Sequence, residues 1–286
     1  MSGPRITRGP DEPDNSPDHA PGPRTAETGP GSVIWPDATT PASSVHYLPR
    51  RAIEKPSNAH VPVQADACLR AIEAAGLASA ISICGGFGLL HYLDHRPTRD
   101  VDAWWNNVPT DVRKQVIDTL RVALEIFGPV RIRTIKDTVS VELLRKGTEH
   151  QSSSKKVFSF QIGSRSAQLD TSVTLPWTSV PLDSLADIVA SKTTALINRG
   201  APRDFLDIYT ACAFGCCTPS DCWRLWERRQ EMGGEEANHS TARLAIETHL
   251  ASIEAYRPLN TIPEGPERER AITIRSWFRD VFCAIE

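Results

Sequence analysis

The stretch ISICGGFGLLHYLDHRPTRDVDAWW, residues 81–105, decides how the chain folds. Its first four residues are an apolar run, and the paired glycines Gly85 and Gly86 allow the backbone to turn sharply and to approach a ligand closely. Residues 87–93 have helical spacing, and Pro97 ends that helix because a residue before proline is disfavoured in the α conformation. The pattern predicts a strand, a glycine turn, a short helix and a second strand.

The second strand opens with two acids one residue apart, Asp100 and Asp102. Alternate side chains of a strand share a face, so the two carboxylates point the same way and Val101 points into the core. Two carboxylates about 4 Å apart repel by roughly 1 kcal/mol in water and by roughly 4 kcal/mol at an effective dielectric near 20. That cost favours a cation between them, and carboxylates are the ligands that Mg²⁺ prefers.

A third acid, Asp170, lies in a segment that also reads as a strand, residues 166–173. The glycine turn at a helix start offers free backbone N–H groups to phosphate oxygens. If Asp170 joins Asp100 and Asp102, the three acids and the turn form a metal and phosphate site.

The rest of the chain divides into three parts. Residues 1–45 are rich in Pro, Gly, Asp, Ser and Thr, which predicts a disordered tail. Residues 46–180 are expected to form an α/β core with a mixed sheet, and residues 181–286 a helical C-terminal domain. The predicted helices are 65–75, 109–127, 182–198, 202–214, 221–230, 240–256 and 267–283, and the predicted later strands are 130–135, 138–144, 156–162 and 166–173.

Composition excludes several classes of protein. The 286 residues carry a net charge of −3, which excludes a broadly basic nucleic-acid binder. There is no signal-peptide pattern and no apolar run of about 18 residues, so we expect a cytoplasmic protein with no membrane partner. Seven cysteines, an odd number at irregular spacing, indicate reduced thiols. Cys212, Cys216, Cys217 and Cys222 suggest zinc, but their spacing is not C-x-x-C and core packing explains them as well.

The order of these motifs resembles the polymerase-β-like nucleotidyltransferase superfamily. More closely, Gly85-Gly86-x-x-Leu89 followed by His95-Arg96-x-Thr98-x-Asp100-Val-Asp102 resembles the AbiEii/AbiGii group of nucleotidyltransferase toxins. That group also has a helical lysine followed by Arg-Asp-x-x-Asp, which here match Lys192 and the segment 203–207.

The resemblance implies a role for each matching residue. Asp100 and Asp102 would hold Mg²⁺ or Mn²⁺ together with Asp170. The residues expected to bind the nucleotide are Gly85, Gly86, Arg96, Thr98 and Lys192. The residues expected to be catalytic are Asp100, Asp102, Lys192 and Asp207.

The implied activity is transfer of a nucleotide from an NTP to an acceptor hydroxyl, with the 3′ end of tRNA as the expected acceptor. The protein would act as the toxin of a type IV-like toxin–antitoxin system and would have a cognate antitoxin as partner. The alternatives are a transferase of the same fold that modifies a small molecule or a protein, and a nucleotide-binding protein without catalysis.

Overall fold

The computed structural model describes residues 53–145 and 155–285. The predicted tail, residues 1–45, lies outside these ranges. The described residues belong to one compact unit, and the predicted boundary between residues 180 and 181 stays a prediction.

In the described part of the chain, seven strands form a single mixed sheet with the order β3-β4-β5-β2-β1-β7-β6. Strand β2 pairs antiparallel with β1 and parallel with β5, and β1 pairs parallel with β7. The strands are β1 (Ile81–Cys84), β2 (Asp100–Trp105), β3 (Val130–Ile135), β4 (Thr138–Leu144), β5 (Lys156–Gly163), β6 (Val173–Leu175) and β7 (Thr178–Leu182).

Eight α-helices are present in the described ranges: α1 (Val63–Ala74), α2 (Gly85–Leu90), α3 (Thr110–Glu125), α4 (Leu185–Asn198), α5 (Pro202–Ala213), α6 (Pro219–Met232), α7 (His239–Tyr256) and α8 (Pro266–Trp277). Ser184 caps the start of helix α4, since its hydroxyl accepts a 3.0 Å hydrogen bond from the backbone N–H of Asp187. The predicted mixed α/β fold is confirmed, and the helices after β7 fall where the sequence predicts them.

Burial alternates along β2 as the sequence predicts. The buried positions are Val101, Ala103 and Trp105. The partly exposed positions are Asp100, Asp102 and Trp104. Strand β1 is buried at all four positions because it lies between β2 and β7. The sheet centre therefore carries the two acids on its partly open face.

One predicted strand, 166–173, is wrong. Only Val173–Leu175 is extended, and it pairs with β7 at the far edge of the sheet and not with β5. The physical reason is that the Asp187 carboxylate accepts the backbone N–H groups of Leu169 and Asp170, at 2.7 and 3.0 Å, in place of a strand partner. The residues after β5 therefore form a long connection to β6 at the opposite edge of the sheet.

None of the helices in the two described ranges has the length and apolar character needed to cross a bilayer.

Candidate active site

The glycine turn lies between a carboxylate and two cations. Gly85 has φ +62°, and a Cβ atom built on it would lie 2.2 Å from Asp102 Oδ2. A Cβ atom on Gly86 would lie 3.2 Å from Arg96 Nη2 and 3.6 Å from Lys192 Nζ. Since any side chain at Gly85 would collide with Asp102, the sequence needs glycine there both for the backbone conformation and for the close approach.

Asp102 is a carboxylate without a hydrogen-bond donor. Within the described ranges none of its oxygens accepts a hydrogen bond, although Lys192 is close enough to affect its charge. Burial raises the pKa of Asp102, the Lys192 ammonium opposes that shift, and the neighbouring Asp100 adds to it. An acid held in this way is costly unless a cation joins it.

Asp100 has its own partners on strand β5. It accepts hydrogen bonds from Ser159 Oγ at 2.6 Å and from Lys156 Nζ at 3.1 Å, and Arg203 Nη1 lies 3.7 Å away. Burial works to raise the pKa of Asp100, but the Ser159 and Lys156 hydrogen bonds outweigh it and the net pKa is below the usual value. Asp100 is thus already ionised and partly neutralised.

Asp207, at 0% exposure, is surrounded by donors. Its Oδ1 accepts from Arg96 Nε at 2.6 Å and lies 2.9 Å from His95 Nε2, and its Oδ2 accepts from Arg96 Nη2 at 2.8 Å and from Lys192 Nζ at 2.7 Å. Burial alone would raise the pKa of Asp207, but the hydrogen bond from His95 and the charge of Lys192 hold it well below its usual value. With both oxygens occupied, Asp207 positions the cations beside Gly86.

Thr98 fixes the turn into β2. Its hydroxyl donates to the Asp100 carbonyl oxygen at 3.1 Å, and its Oγ1 would lie 4.0 Å from a Cβ atom on Gly86. The predicted nucleotide-binding residues Gly85, Gly86, Arg96, Thr98 and Lys192 are therefore neighbours in the structure.

A cavity of about 330 Å³ opens at this place. Gly85, Asp102 and Lys192 line it, together with Trp104, which follows Asp102 on the same face of β2, and Arg199. A larger cavity, about 670 Å³, lies against α1 and contains none of the predicted site residues. The smaller cavity is the one lined by residues of the predicted site, with the Asp102 carboxylate, the Lys192 ammonium and Gly85 in its wall.

The structure does not bring Asp170 to the other two acids. Its carboxylate lies 3.6 Å from Arg228 Nη1, in the connection between β5 and β6. In residues 53–145 and 155–285, Asp100, Asp102 and Asp170 do not form a group with ligand atoms within 4.8 Å of one another. The carboxylates that could bind a divalent cation are accordingly those of Asp102 and Asp100, which lie one residue apart on β2.

Sequence reasoning missed three contributors. His95 has 3% side-chain exposure and contacts Asp207, and its place in the His95-Arg96 motif was an available signal. Ser159 and Gln161 lie beside the acids because β5 pairs in register with β2, Asp100 with Ser159 and Asp102 with Gln161. The parallel pairing of β2 with β5, which are more than fifty residues apart, cannot be predicted from a single sequence.

One known protein family matches most of this sequence. The sequence model of the family described as "Nucleotidyl transferase AbiEii toxin, Type IV TA system" matches residues 67–271, more than half of the chain. None of the curated proteins matches it.

Three solved structures are similar to this chain at low identity. A nucleotidyltransferase from H. pylori has 12% identity and TM-score 0.46, covering 77% of this chain and 92% of that one. The antibiotic-resistance factor ANT(2'')-Ia has 12% identity and TM-score 0.36, covering 68% and 94%. An antigenic nucleotidyltransferase-like protein from Paracoccidioides brasiliensis has 17% identity and TM-score 0.35, covering 77% and 94%.

The family match includes the glycine turn, both acids of β2, Lys192 and Asp207. Of these, Gly85, Asp102 and Lys192 line the 330 Å³ cavity, and Asp207 contacts Lys192 from behind it. The chain belongs to the AbiEii nucleotidyltransferase toxin family.

Proposed function

We propose that the chain transfers a nucleotide from an NTP to the 3′ hydroxyl of tRNA and thereby acts as a toxin in the cytoplasm. The observation that carries the proposal is the Asp102 carboxylate, which has no donor in the described ranges and faces a cavity shared with Lys192. The family's description as a type IV toxin–antitoxin component supports a cognate antitoxin as partner.

Each residue has a part in binding the NTP. Asp102 and Asp100 would hold Mg²⁺ or Mn²⁺, and a bound ion would supply positive charge to the phosphates and make the attacking hydroxyl more acidic. Lys192 and Arg96 place two cations beside Gly86, where the backbone leaves room for phosphate oxygens. Trp104 lines the cavity and offers a ring face on which a base can stack.

The transfer is a displacement at the α-phosphorus. The acceptor oxygen forms a bond to that phosphorus, the bond to the bridging oxygen breaks, pyrophosphate leaves with the electron pair, and the hydroxyl proton passes to water. Asp207 contributes by fixing Lys192 and Arg96, because its two oxygens are already occupied. Asp170 has no part in the proposed step.

The choice of tRNA rests on the family resemblance and on charge at the cavity edge. Arg199 and Arg203 keep about half of their side-chain surface exposed, 53% and 55%, and Arg203 lies beside Asp100. Exposed guanidinium groups next to an acidic centre suit the phosphates of an incoming RNA end.

The experiment incubates the full chain with each α-labelled NTP, Mg²⁺ and total tRNA. The wild type should label tRNA, and tRNA whose terminal diol has been oxidised with periodate should not be labelled. Asp102→Asn should reduce labelling at least about a hundredfold, whereas Asp118→Asn, an exposed acid on α3, should not. Binding of Mn²⁺ in the presence of NTP, followed by electron paramagnetic resonance, should weaken in Asp102→Asn alone.

Two results would contradict the proposal. One is the absence of labelled product with every NTP, and the other is equal labelling by Asp102→Asn. Labelling of oxidised tRNA would keep nucleotide transfer and exclude the 3′ end as acceptor. An Asp170→Asn variant that loses labelling would return the third acid to the site.

A further inference from the structure

The turn between α5 and α6 gathers three of the seven cysteines. Cys212 lies in the last turn of α5, Cys217 in the connection, and Cys222 in the first turn of α6. The Sγ–Sγ distances are 3.7 Å between Cys212 and Cys217, 3.8 Å between Cys212 and Cys222, and 3.6 Å between Cys217 and Cys222. Three sulfur atoms thus surround a single point.

These distances match one metal ion. A tetrahedral zinc ion with Zn–S bonds of about 2.3 Å separates its sulfur ligands by about 3.8 Å. A disulfide needs sulfurs about 2 Å apart and would pair only two of the three. We propose that Cys212, Cys217 and Cys222 bind one zinc ion, a site separate from the proposed nucleotide cavity.

The chemistry of the ligands favours zinc. Thiolate ligands select soft or borderline ions such as Zn²⁺, and hard cations such as Mg²⁺ prefer oxygen. Across the described residues this is the group of three or more His, Cys, Asp or Glu whose ligand atoms lie within 4.8 Å of one another. Cys216, although buried, is outside that group.

The site has three protein ligands. Cys217 and Cys222 are buried, and Cys212 is partly exposed as a residue. A tetrahedral zinc ion held by these three thiolates would take a water molecule as its fourth ligand. The spacing C-x₄-C-x₄-C is not the usual paired form, because here a helix end, a turn and a helix start each supply one ligand.

The ion would join two helices that matter to the nucleotide site. Helix α5 carries Asp207, five residues before Cys212, and helix α6 packs on α4, which carries Lys192. A zinc ion that ties the end of α5 to the start of α6 therefore stabilises the frame in which Asp207 and Lys192 meet. Since metal binding favours the folded state alone, its removal lowers the melting temperature.

The first test measures zinc in the full chain, purified under reducing conditions without chelator. Mass spectrometry of the metal should find about one zinc per chain in the wild type. Cys212→Ser, Cys217→Ser and Cys222→Ser should each lower that content at least tenfold. Cys68→Ser is the matched control, since Cys68 on α1 is as buried as Cys222, at 0% exposure, and lies outside the cluster.

The second test uses the wild type alone, so that it does not depend on the folding of a variant. Zinc is removed with a chelator, Co²⁺ is added as the probe, and the spectrum should show thiolate-to-cobalt charge-transfer bands that disappear when Zn²⁺ is added. A wild type that holds no zinc and gives no such bands would overturn the proposal. Equal zinc in Cys222→Ser and Cys68→Ser would overturn it as well.

Discussion

Asp102 and Asp207 are two acids of one site held in opposite ways. Asp207 is fully buried and accepts from Arg96, Lys192 and His95, whereas Asp102 lines the cavity and accepts from no donor in the described ranges. The donors hold the pKa of Asp207 well below its usual value, while burial raises that of Asp102. The difference teaches that a satisfied buried acid organises its neighbours, and an unsatisfied one at a cavity is available to a ligand.

The largest effect on stability should follow Asp207→Asn. The change keeps the shape but leaves the buried Lys192 and the partly buried Arg96 without their counter-charge, which should cost about 3–5 kcal/mol of unfolding free energy. Urea denaturation followed by circular dichroism measures it.

Asp102→Asn is the matched variant for the same experiment. Its loss of charge removes no hydrogen bond and relieves the cost of a desolvated carboxylate, so the unfolding free energy should not fall. If the two variants lose equal stability, the contrast between the two acids is wrong.

Between pH 6.5 and 4, acid should destabilise the chain through His91, whereas the contribution of Asp207 is lost only at lower pH because its pKa is held well below its usual value. Burial lowers the pKa of His91 from 6.5 to about 4, so between these values the unfolded chain binds the proton and the folded chain does not. Stability is therefore present above pH 6.5 and falls as the pH drops towards 4, by about 1.4 kcal/mol per unit and about 3 kcal/mol in all.

The slope can be assigned by substitution. His91→Asn keeps a donor for the Phe87 carbonyl oxygen, which lies 3.0 Å from Nδ1, and should flatten the dependence of unfolding free energy on pH from 4 to 6.5. Asp207→Asn should leave it unchanged, because that acid stays ionised throughout this range. A slope that survives in His91→Asn would assign it to other groups.

Gly85→Ala should damage both stability and transfer. A non-glycine residue at positive φ costs about 1–2 kcal/mol, and the new Cβ would lie 2.2 Å from Asp102 Oδ2 and must displace it. Gly76→Ala separates the two causes, since Gly76 has φ +68° and nothing within 4 Å of its Cβ position. The control should lose about the same backbone energy and keep full labelling of tRNA.

The smallest effect should follow Lys156→Ala. The pair between Lys156 and Asp100 is 40% exposed on the lysine side, and such a pair contributes less than about 1 kcal/mol. Asp100 keeps its 2.6 Å hydrogen bond from Ser159. A loss above about 2 kcal/mol in urea denaturation would show that Asp100 depends on its donors as strongly as Asp207 does.

The sequence predicts much of this fold because its signals are local. Strands β1 and β2 follow from an apolar run and an alternating one, and β3 and β4 coincide with the predicted strands 130–135 and 138–144. The predicted strand at 166–173 fails because a distant carboxylate, Asp187, takes its backbone N–H groups.

The site likewise contains residues that local sequence motifs predict and residues that only tertiary packing brings in. The motif brings out Gly85, Gly86, Asp100 and Asp102, but the burial of Lys192, 7% exposed, depends on how α4 packs against α5. Likewise Ser159 reaches Asp100 through the register of β5 on β2. Contacts of this kind depend on how the whole core packs, and the sequence next to either residue does not reveal them.

Gly85 also has a genetic consequence. Every missense change of its codon adds a Cβ atom, and that atom would lie 2.2 Å from Asp102 Oδ2. If the protein is toxic to its host, cells that survive its expression should carry changes of this codon more often than of the codon for Gly76, where the same atom meets open space. The toxin would be easy to inactivate by a single mutation at the point where it has no room to vary.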